Sequence, residues 1–416
     1  MKNDSTPKLS VVVPTYNRCE LIGELLAQLA TQTVPAHEFE VIVADDGSAD
    51  ETKDVVNSFS DRLRVKYHFQ EDLGFRAALA RNSGARLAEA PVLAFVDGGE
   101  FVGPDFVAGH LAAHAEGREH VVVGYVYGYN PATGVPMHDQ RAIMDASPPA
   151  DVVREHGDDP TFQDVRRELM ESVGFDLNGL AMPWQFFWTG NCSVRTADFW
   201  AVGGFDEGFH GWGLEDLEFG YRLHRHGLPF TFLADTWTIE YPHERDIDHN
   251  AEKVGDNVSY FLSRHPDPVV EICWSLLTKE LMLDTWEESC EQLSAMSREL
   301  RDLSVVDELT TVAAELPEGS RVAIFGAGAT VPDSLPEASL VDFDRELLDR
   351  ALTGTRHTGH HAIGLRTPLA DRSADTVVIT SRLAGLWPRW GHDILAEARR
   401  VGTDVRVLFT PAGRGA

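Results

Sequence analysis

The sequence predicts an α/β protein whose larger domain is built on a mostly parallel sheet. Short apolar runs alternate with helix-like segments over the first hundred residues, as strands covered on both faces do. Each apolar run also ends in a knot of polar residues and glycines. In open α/β sheets ligands collect outside the carboxyl ends of the strands, so those knots are the natural place for a site. At 416 residues the chain is too long for one ordinary domain, and two or three are expected.

Taken in order, Leu9 to Val13 reads as a buried strand ending at Pro14-Thr15-Tyr16-Asn17, and Leu21 to Leu29 has helical spacing. Phe39 to Ala44 is a second strand, stopped by Asp45-Asp46-Gly47-Ser48. Arg64 to Phe69 is a third, followed by a helix over Phe75 to Ala88. Val92 to Val96 is a fourth, ending at Asp97-Gly98-Gly99-Glu100, and Val121 to Tyr127 a fifth. From Asn130 to Pro183 the pattern is irregular, with one helical piece around Phe162 to Val173. Long excursions of this kind are usually functional loops. Met182 to Trp188 is rich in aromatic rings, either sugar-stacking faces or core.

The densest stretch follows. Thr189-Gly190-Asn191-Cys192-Ser193, Gly203-Gly204-Phe205-Asp206-Glu207 and Gly211-Trp212-Gly213-Leu214-Glu215-Asp216 combine loop-forming glycines, an aromatic wall and adjacent carboxylates. Glu215 and Asp216 open a helix that runs over Leu217 to His226 and stops at Gly227, so both acids sit where the helix dipole favours negative charge. Such a pair either caps a surface helix or supplies an ionised base for a hydroxyl group.

These motifs resemble the family 2 glycosyltransferases, whose fold is the GT-A nucleotide-sugar-binding fold, over about Leu9 to Glu244. The resemblance implies that Pro14, Thr15, Tyr16, Asn17, Asp45 and Asp46 bind the nucleotide, with Asp46 accepting from the uracil imide and Tyr16 offering a ring. Read alone, Asp45-Asp46-Gly47-Ser48 is equally an Asx-turn. Gly74-Phe75-Arg76 and Ala80-Arg81-Asn82-Ser83-Gly84 resemble the family's Gly-x-x-x-Ala-Arg-Asn-x-Gly helix, which puts Arg81 against the diphosphate. Asp97 and Gly98 stand where the family has its Asp-x-Asp metal motif, but Gly99 replaces the second carboxylate. The Trp-Gly-x-Glu-Asp element is similar to that of galactosyltransferase-type enzymes and implies Asp216 as catalytic base. Glu215, Trp212, Trp188 and Asn191 then line the acceptor. His243, after a strand around Thr238 to Tyr241, stands where those relatives carry a metal-ligating histidine. Asp97 and His243 are thus the expected ligands of Mn²⁺ or Mg²⁺.

Beyond Glu244 the resemblance fades. Residues 1–250 form the expected GT-A domain and 251–304 a helical linker, with helices over Asp256 to Arg264 and Val269 to Leu303. Residues 305–416 form a small Rossmann-like domain. There Arg321 to Gly328, Ser339 to Asp344 and Thr376 to Thr380 resemble the start of a class I methyltransferase, with Asp342 at a ribose position. The match is loose and the domain short, so a degenerate domain used for packing, acceptor docking or homo-oligomerisation is expected. A bifunctional glycosyl- and methyltransferase is the alternative.

Composition bounds the partners. A formal charge of −30 argues against nucleic acid and anionic membranes as general partners. No run approaches the length of a membrane span, and the N-terminal eight residues are polar. Four scattered cysteines suggest free thiols, hence a soluble cytoplasmic protein. The expected activity is inverting transfer of a hexose, glucose favoured, from a UDP-sugar to a hydroxyl of a small, aminocyclitol-type natural product. A non-catalytic nucleotide-sugar-binding scaffold is the competing reading, prompted by Gly99.

Overall fold

The computed structural model describes residues 6–128, 136–243, 247–279 and 284–410, and the chain divides into two compact units, Met1–Asn257 and Val258–Ala416. The division falls inside the helix Ile247–Arg264.

The first unit holds β1 (Leu9–Thr15), β2 (Phe39–Asp45), β3 (Val65–Phe69), β4 (Val92–Phe95), β5 (Glu100–Val102), β6 (Val121–Tyr127), β7 (Cys192–Arg195) and β8 (Phe230–Glu240). They form one sheet in the order β3-β2-β1-β4-β7-β6-β8-β5. The four strands on the β3 side are mutually parallel. β7 enters antiparallel to both β4 and β6, β6 and β8 are parallel, and β5 closes the far edge antiparallel to β8. The sheet is therefore mixed, with its parallel half made by β3, β2, β1 and β4.

β1 and β2 are buried on both faces, as those runs require. Val11, Val13, Val41 and Val43 join Leu25, Leu26 and Leu29 of the helix Cys19–Leu29 in one cluster. On the other face the helix Ala77–Leu87 lies close against the sheet. A Cβ on its Gly84 would come within 2.6 Å of Val12 and 3.5 Å of Ala44, so only glycine permits that approach. This contact fixes where Arg81, one turn earlier, is presented. The register pairs Thr15 with Asp45 and Val12 with Phe95, which brings the carboxyl ends of β1, β2 and β4 side by side.

Several expected elements differ. The helix predicted over Phe162 to Val173 is confined to Arg167–Ser172. The one predicted over Val269 to Leu303 is two helices, Pro268–Leu277 and Asp284–Glu299. Asp267 starts the first of these by accepting from the Val269 N–H, with Pro268 in its first turn. The aromatic run is mainly core: Trp184, Phe186 and Phe187 are buried.

Between Gly124 and Tyr125 the β6–β8 ladder slips, and Asn191 repairs it. Its Nδ2 donates to the carbonyls of Tyr125 (3.0 Å) and Thr236 (2.9 Å), and its Oδ1 lies 3.0 Å from Nε2 of His110. His110 Nδ1 and His114 Nε2 in turn meet Ser193 Oγ at 2.8 and 2.9 Å. Burial pushes His110 down to about 4 and His114 down to about 3, the latter also opposed by its histidine neighbours. Both rings fold neutral, while the unfolded chain takes up protons near 6.5. More protons bound in the unfolded state means stability that is present above pH 6.5 and lost as pH falls toward 4. The melting temperature should therefore drop on acidification from pH 7 to pH 5, and His114→Gln should flatten that slope; an unchanged slope would remove the histidines from the account.

The second unit carries β9 (Val322–Phe325), β10 (Ala338–Asp342), β11 (Thr358–His361), β12 (Ala374–Ile379) and β13 (Gly402–Val407), all parallel, in the order β11-β10-β9-β12-β13. This is the doubly wound Rossmann-like order. The acid at the end of β10 is engaged from within the unit. Arg382 Nε and Nη2 donate to Asp342 Oδ2 and Oδ1 at 2.9 and 3.2 Å, with both side chains fully buried. The Gly328 N–H donates to Asp342 Oδ2 at 2.8 Å. Asp342 has no oxygen turned toward an incoming ribose.

Candidate functional site

The carboxyl ends of β1, β2 and β3 carry one hydrogen-bonded polar cluster. Asp46 N–H donates to the Thr15 carbonyl (2.9 Å), tying two strand ends together. Asn17, at φ 50, ties them again: its N–H donates to Ser48 Oγ (2.7 Å) and its Oδ1 accepts from Ala49 (2.8 Å). Asp46 accepts from Gln70 Nε2 (2.6 Å), the Arg76 N–H (2.8 Å) and Arg76 Nη2 (3.2 Å). Tyr16 is 47% exposed and donates to Asp72 (2.9 Å), the contact that chiefly raises its phenol's pKa. A ring open to solvent beside a half-turned carboxylate is what an aromatic base could use.

Asp45 is different. Its Oδ1 accepts from the N–H groups of Gly47 and Ser48, its Oδ2 from Tyr67 at 2.7 Å, and it is fully buried. It is the Asx-turn former, and its expected nucleotide contact is corrected to shaping the loop. Gln70, Asp72 and Arg76 were missed as members of this cluster, although they follow the end of β3 as the other motifs follow β1 and β2.

The second half of the site is organised by Arg81, only 4% exposed. Its Nη2 donates to Asp97 Oδ1 (2.8 Å) and its Nη1 to Glu215 Oε1 (2.9 Å). Arg81 was expected against a diphosphate. Both of its terminal nitrogens are instead used by carboxylates, so it links the turn after β4 to the start of the helix Glu215–Arg225. Asp97 Oδ2 lies 3.4 Å from the Thr189 hydroxyl. Gly98 N–H donates to the Pro14 carbonyl at 3.2 Å, and a Cβ on Gly98 would meet that oxygen at 2.9 Å.

The loop before Glu215 turns through Gly211, Gly213 and Leu214 at φ of 80, 95 and 74. Asn257 Nδ2 braces it on the Gly213 carbonyl at 2.8 Å. The loop leaves Trp212 45% exposed. Glu215 Oε2 is buried with no hydrogen-bond partner among the described residues. Asp216 is partly exposed, and its Oδ1 accepts from the Leu217 N–H at 2.8 Å. Desolvation first, then the neighbouring Glu215 charge, push Asp216 up to about 7 against the opposing pull of Arg81. A carboxylate with that affinity for protons is suited to accept one near neutrality.

Two expected acceptor contacts change. Asn191 is fully buried and its amide is spent on the β6–β8 ladder, so it cannot reach a bound molecule. Trp188 is half-buried, its indole N–H donates to the Gln185 carbonyl (3.1 Å), and the Arg166 guanidinium covers its ring at 4.3 Å. His243 lies just beyond β8, where the Tyr241 N–H donates to the Gly99 carbonyl at 2.9 Å. Its Nδ1 is 3.3 Å from the Tyr241 carbonyl and 3.6 Å from Glu240 Oε1. Among the described residues, no three His, Cys, Asp or Glu side chains are grouped to hold a metal ion, and no helix is long and apolar enough to cross a membrane.

Residues 10–182 match the glycosyl transferase family 2 description, and residues 171–249 match that of the N-terminal domain of galactosyltransferase. A validoxylamine A glucosyltransferase of Streptomyces hygroscopicus subsp. limoneus is 44% identical over 410 residues, covering 96% of this chain and 90% of that protein. An uncharacterized glycosyltransferase of Bacillus subtilis, YfnE, is 31% identical over 62% of this chain and 70% of its own. Among solved structures, S. aureus TarS 1-349 in complex with UDP-GlcNAc is 20% identical, with a TM-score of 0.46 over 75% of this chain and 82% of that one.

Proposed function

The chain belongs to glycosyl transferase family 2, and from that premise we propose that it transfers glucose, with inversion, from UDP-glucose to a hydroxyl of a small aminocyclitol-type acceptor. The likeness to validoxylamine A glucosyltransferases supports both the sugar and the acceptor class. The observation that carries the reading is the Asp97–Arg81–Glu215 bridge, because it joins a strand-end carboxylate on the donor side to the base-bearing helix on the acceptor side.

In this reading the base lies in the pocket of Tyr16, Asp46 and Arg76, with Asp46 accepting from the uracil imide. Trp212 offers its open face to the acceptor, and the unpartnered Glu215 Oε2 accepts from one of its hydroxyls. Asp216 takes the proton of the attacking hydroxyl as that oxygen bonds to the anomeric carbon. The bond from that carbon to the β-phosphate oxygen breaks on the opposite face, and UDP leaves with the electron pair. One displacement inverts the centre.

Asp97 and His243 would hold a divalent cation only as a sparse site, completed by phosphate oxygens and water, since among the described residues no three His, Cys, Asp or Glu side chains are grouped to hold one. When bound there, Mn²⁺ or Mg²⁺ would add positive charge at the departing diphosphate. The protein without nucleotide should therefore hold the cation weakly, and UDP should strengthen that hold.

The test is UDP release from UDP-glucose with validoxylamine A as acceptor, run with and without Mn²⁺ on EDTA-treated protein, beside UDP calorimetry. Turnover is expected with acceptor present and not without it. Asp46→Ala should weaken UDP about tenfold, the loss of a charged hydrogen bond, with little change in turnover at saturation. UDP binding without any transfer to hydroxyl acceptors would favour the scaffold reading.

A further inference from the structure

The turn after β4 lacks a second carboxylate because position 99 is glycine, and the space beside Gly99 is not empty. A Cβ there would run into Nη1 of Arg18, whose Cζ would lie 3.6 Å from it. Arg18 immediately precedes the helix Cys19–Leu29 and follows Asn17, whose positive φ reverses the chain after β1. The sequence motif Pro14-Thr15-Tyr16-Asn17 therefore delivers Arg18 across the strand ends, onto the Asp97–Gly99 turn.

Its electrostatic situation sets it apart from the other arginines of the site. Arg81 is held by Asp97 and Glu215, and Arg76 by Asp46. The half-buried Arg18 side chain forms no ion pair and no hydrogen bond among the described residues. In a chain of net charge −30, a guanidinium left without a carboxylate has all of its fork of N–H donors available to another anion. Gly98 packs on the Pro14 carbonyl and on Thr15, so the nucleotide-binding strand end and the Asp97 turn are one surface. Arg18 lies on it.

We propose that Arg18 is a binding residue for the diphosphate of the nucleotide donor, standing where the absent carboxylate of residue 99 would otherwise hold a cation. The inference rests on the nucleotide-sugar reading and deepens it. Where a second carboxylate would tighten the hold on a cation, Arg18 adds positive charge beside the sparse Asp97 site, donating two parallel hydrogen bonds to phosphate oxygens. Glycine at 99 is then a requirement of the arginine, not merely the loss of an acid.

The experiment compares UDP and uridine binding to the full chain by calorimetry in EDTA, for wild type, Arg18→Ala and Arg18→Lys. Arg18→Ala should bind UDP roughly ten- to a hundredfold more weakly, the worth of charged hydrogen bonds to phosphate, and uridine within about twofold of wild type. Arg18→Lys should recover part of the UDP affinity, because an ammonium keeps the charge without the fork. Preserved uridine binding also shows that the variants are folded. Equal UDP affinity in Arg18→Ala and wild type overturns this inference alone, as does an equal loss for uridine. A wild type that binds neither ligand overturns the donor reading and this inference with it.

Discussion

Asp216→Asn should lower turnover by about two to four orders of magnitude while leaving UDP affinity unchanged, because the amide keeps the shape and removes only the proton acceptor. The pH dependence gives a second readout. Asp216 is pushed up to about 7, and a base must be ionised to act, so kcat/KM of the wild type should climb with pH through that value and then level. In the Asn variant that limb should vanish. Stability should move the other way. A carboxyl raised from 3.8 contributes stability only while protonated, and that contribution is lost as pH rises through about 7. At pH 8 the Asn variant should melt no lower than wild type. A variant that turns over normally, or one that retains the same acidic limb, would remove Asp216 as the base.

Arg81→Met should be the most damaging single change in the first unit. It leaves Glu215, 9% exposed at its side chain, and Asp97, 40% exposed, facing each other without a cation. Breaking a buried ion pair from one side typically costs about 3–5 kcal/mol, and the exposure of Asp97 places the expected loss near the lower end, about 3 kcal/mol. Turnover should fall by more than tenfold as well, since Glu215 and Asp216 share the first turn whose position Arg81 fixes. Arg81→Lys should not rescue it fully, because one ammonium cannot span two carboxylates as a fork does. Adding Glu215→Gln to Arg81→Met should restore part of the stability, and the double-mutant cycle measures that coupling. An unfolding free energy within about 0.5 kcal/mol of wild type, with m unchanged, would show the bridge to be incidental.

The parts of the fold legible in the sequence were those where burial on both faces writes a continuous apolar run. β1, β2, β4 and β6 fall where their runs lie, and the helix Glu215–Arg225 begins at the acids that mark it. In the first unit the strands absent from that reading, β5 and β7, are held by partners far away in sequence. β7 has only four residues and pairs antiparallel with both neighbours, and β5 has three. Neither is long enough to show a period.

Site residues divide on the same ground. Tyr16, Asp46, Trp212, Glu215 and Asp216, the residues proposed for the site, stand in motifs at strand or helix ends. Which of two adjacent acids turns inward was not written locally. Asp45 is taken up by its own turn and by Tyr67, and Asp46 by Gln70 and Arg76, partners that come from the next strand and beyond. Asn191 likewise reads as a loop residue, until the slip between β6 and β8 gives its amide two carbonyls to satisfy.

Arg382 and Asp342 have a thermodynamic consequence for the second unit. A Rossmann-like domain that needs its nucleotide gains stability as the logarithm of ligand concentration, and loses it in a cell that runs short. Here the acid at the end of β10 is saturated by a side chain of its own polypeptide, attached through the turn after β12. Its occupant is present at a fixed effective concentration that no metabolite pool can lower. The melting of residues 258–416 should accordingly be indifferent to added nucleotides, so that a thermal-shift response of the whole protein to UDP reports on the first unit alone.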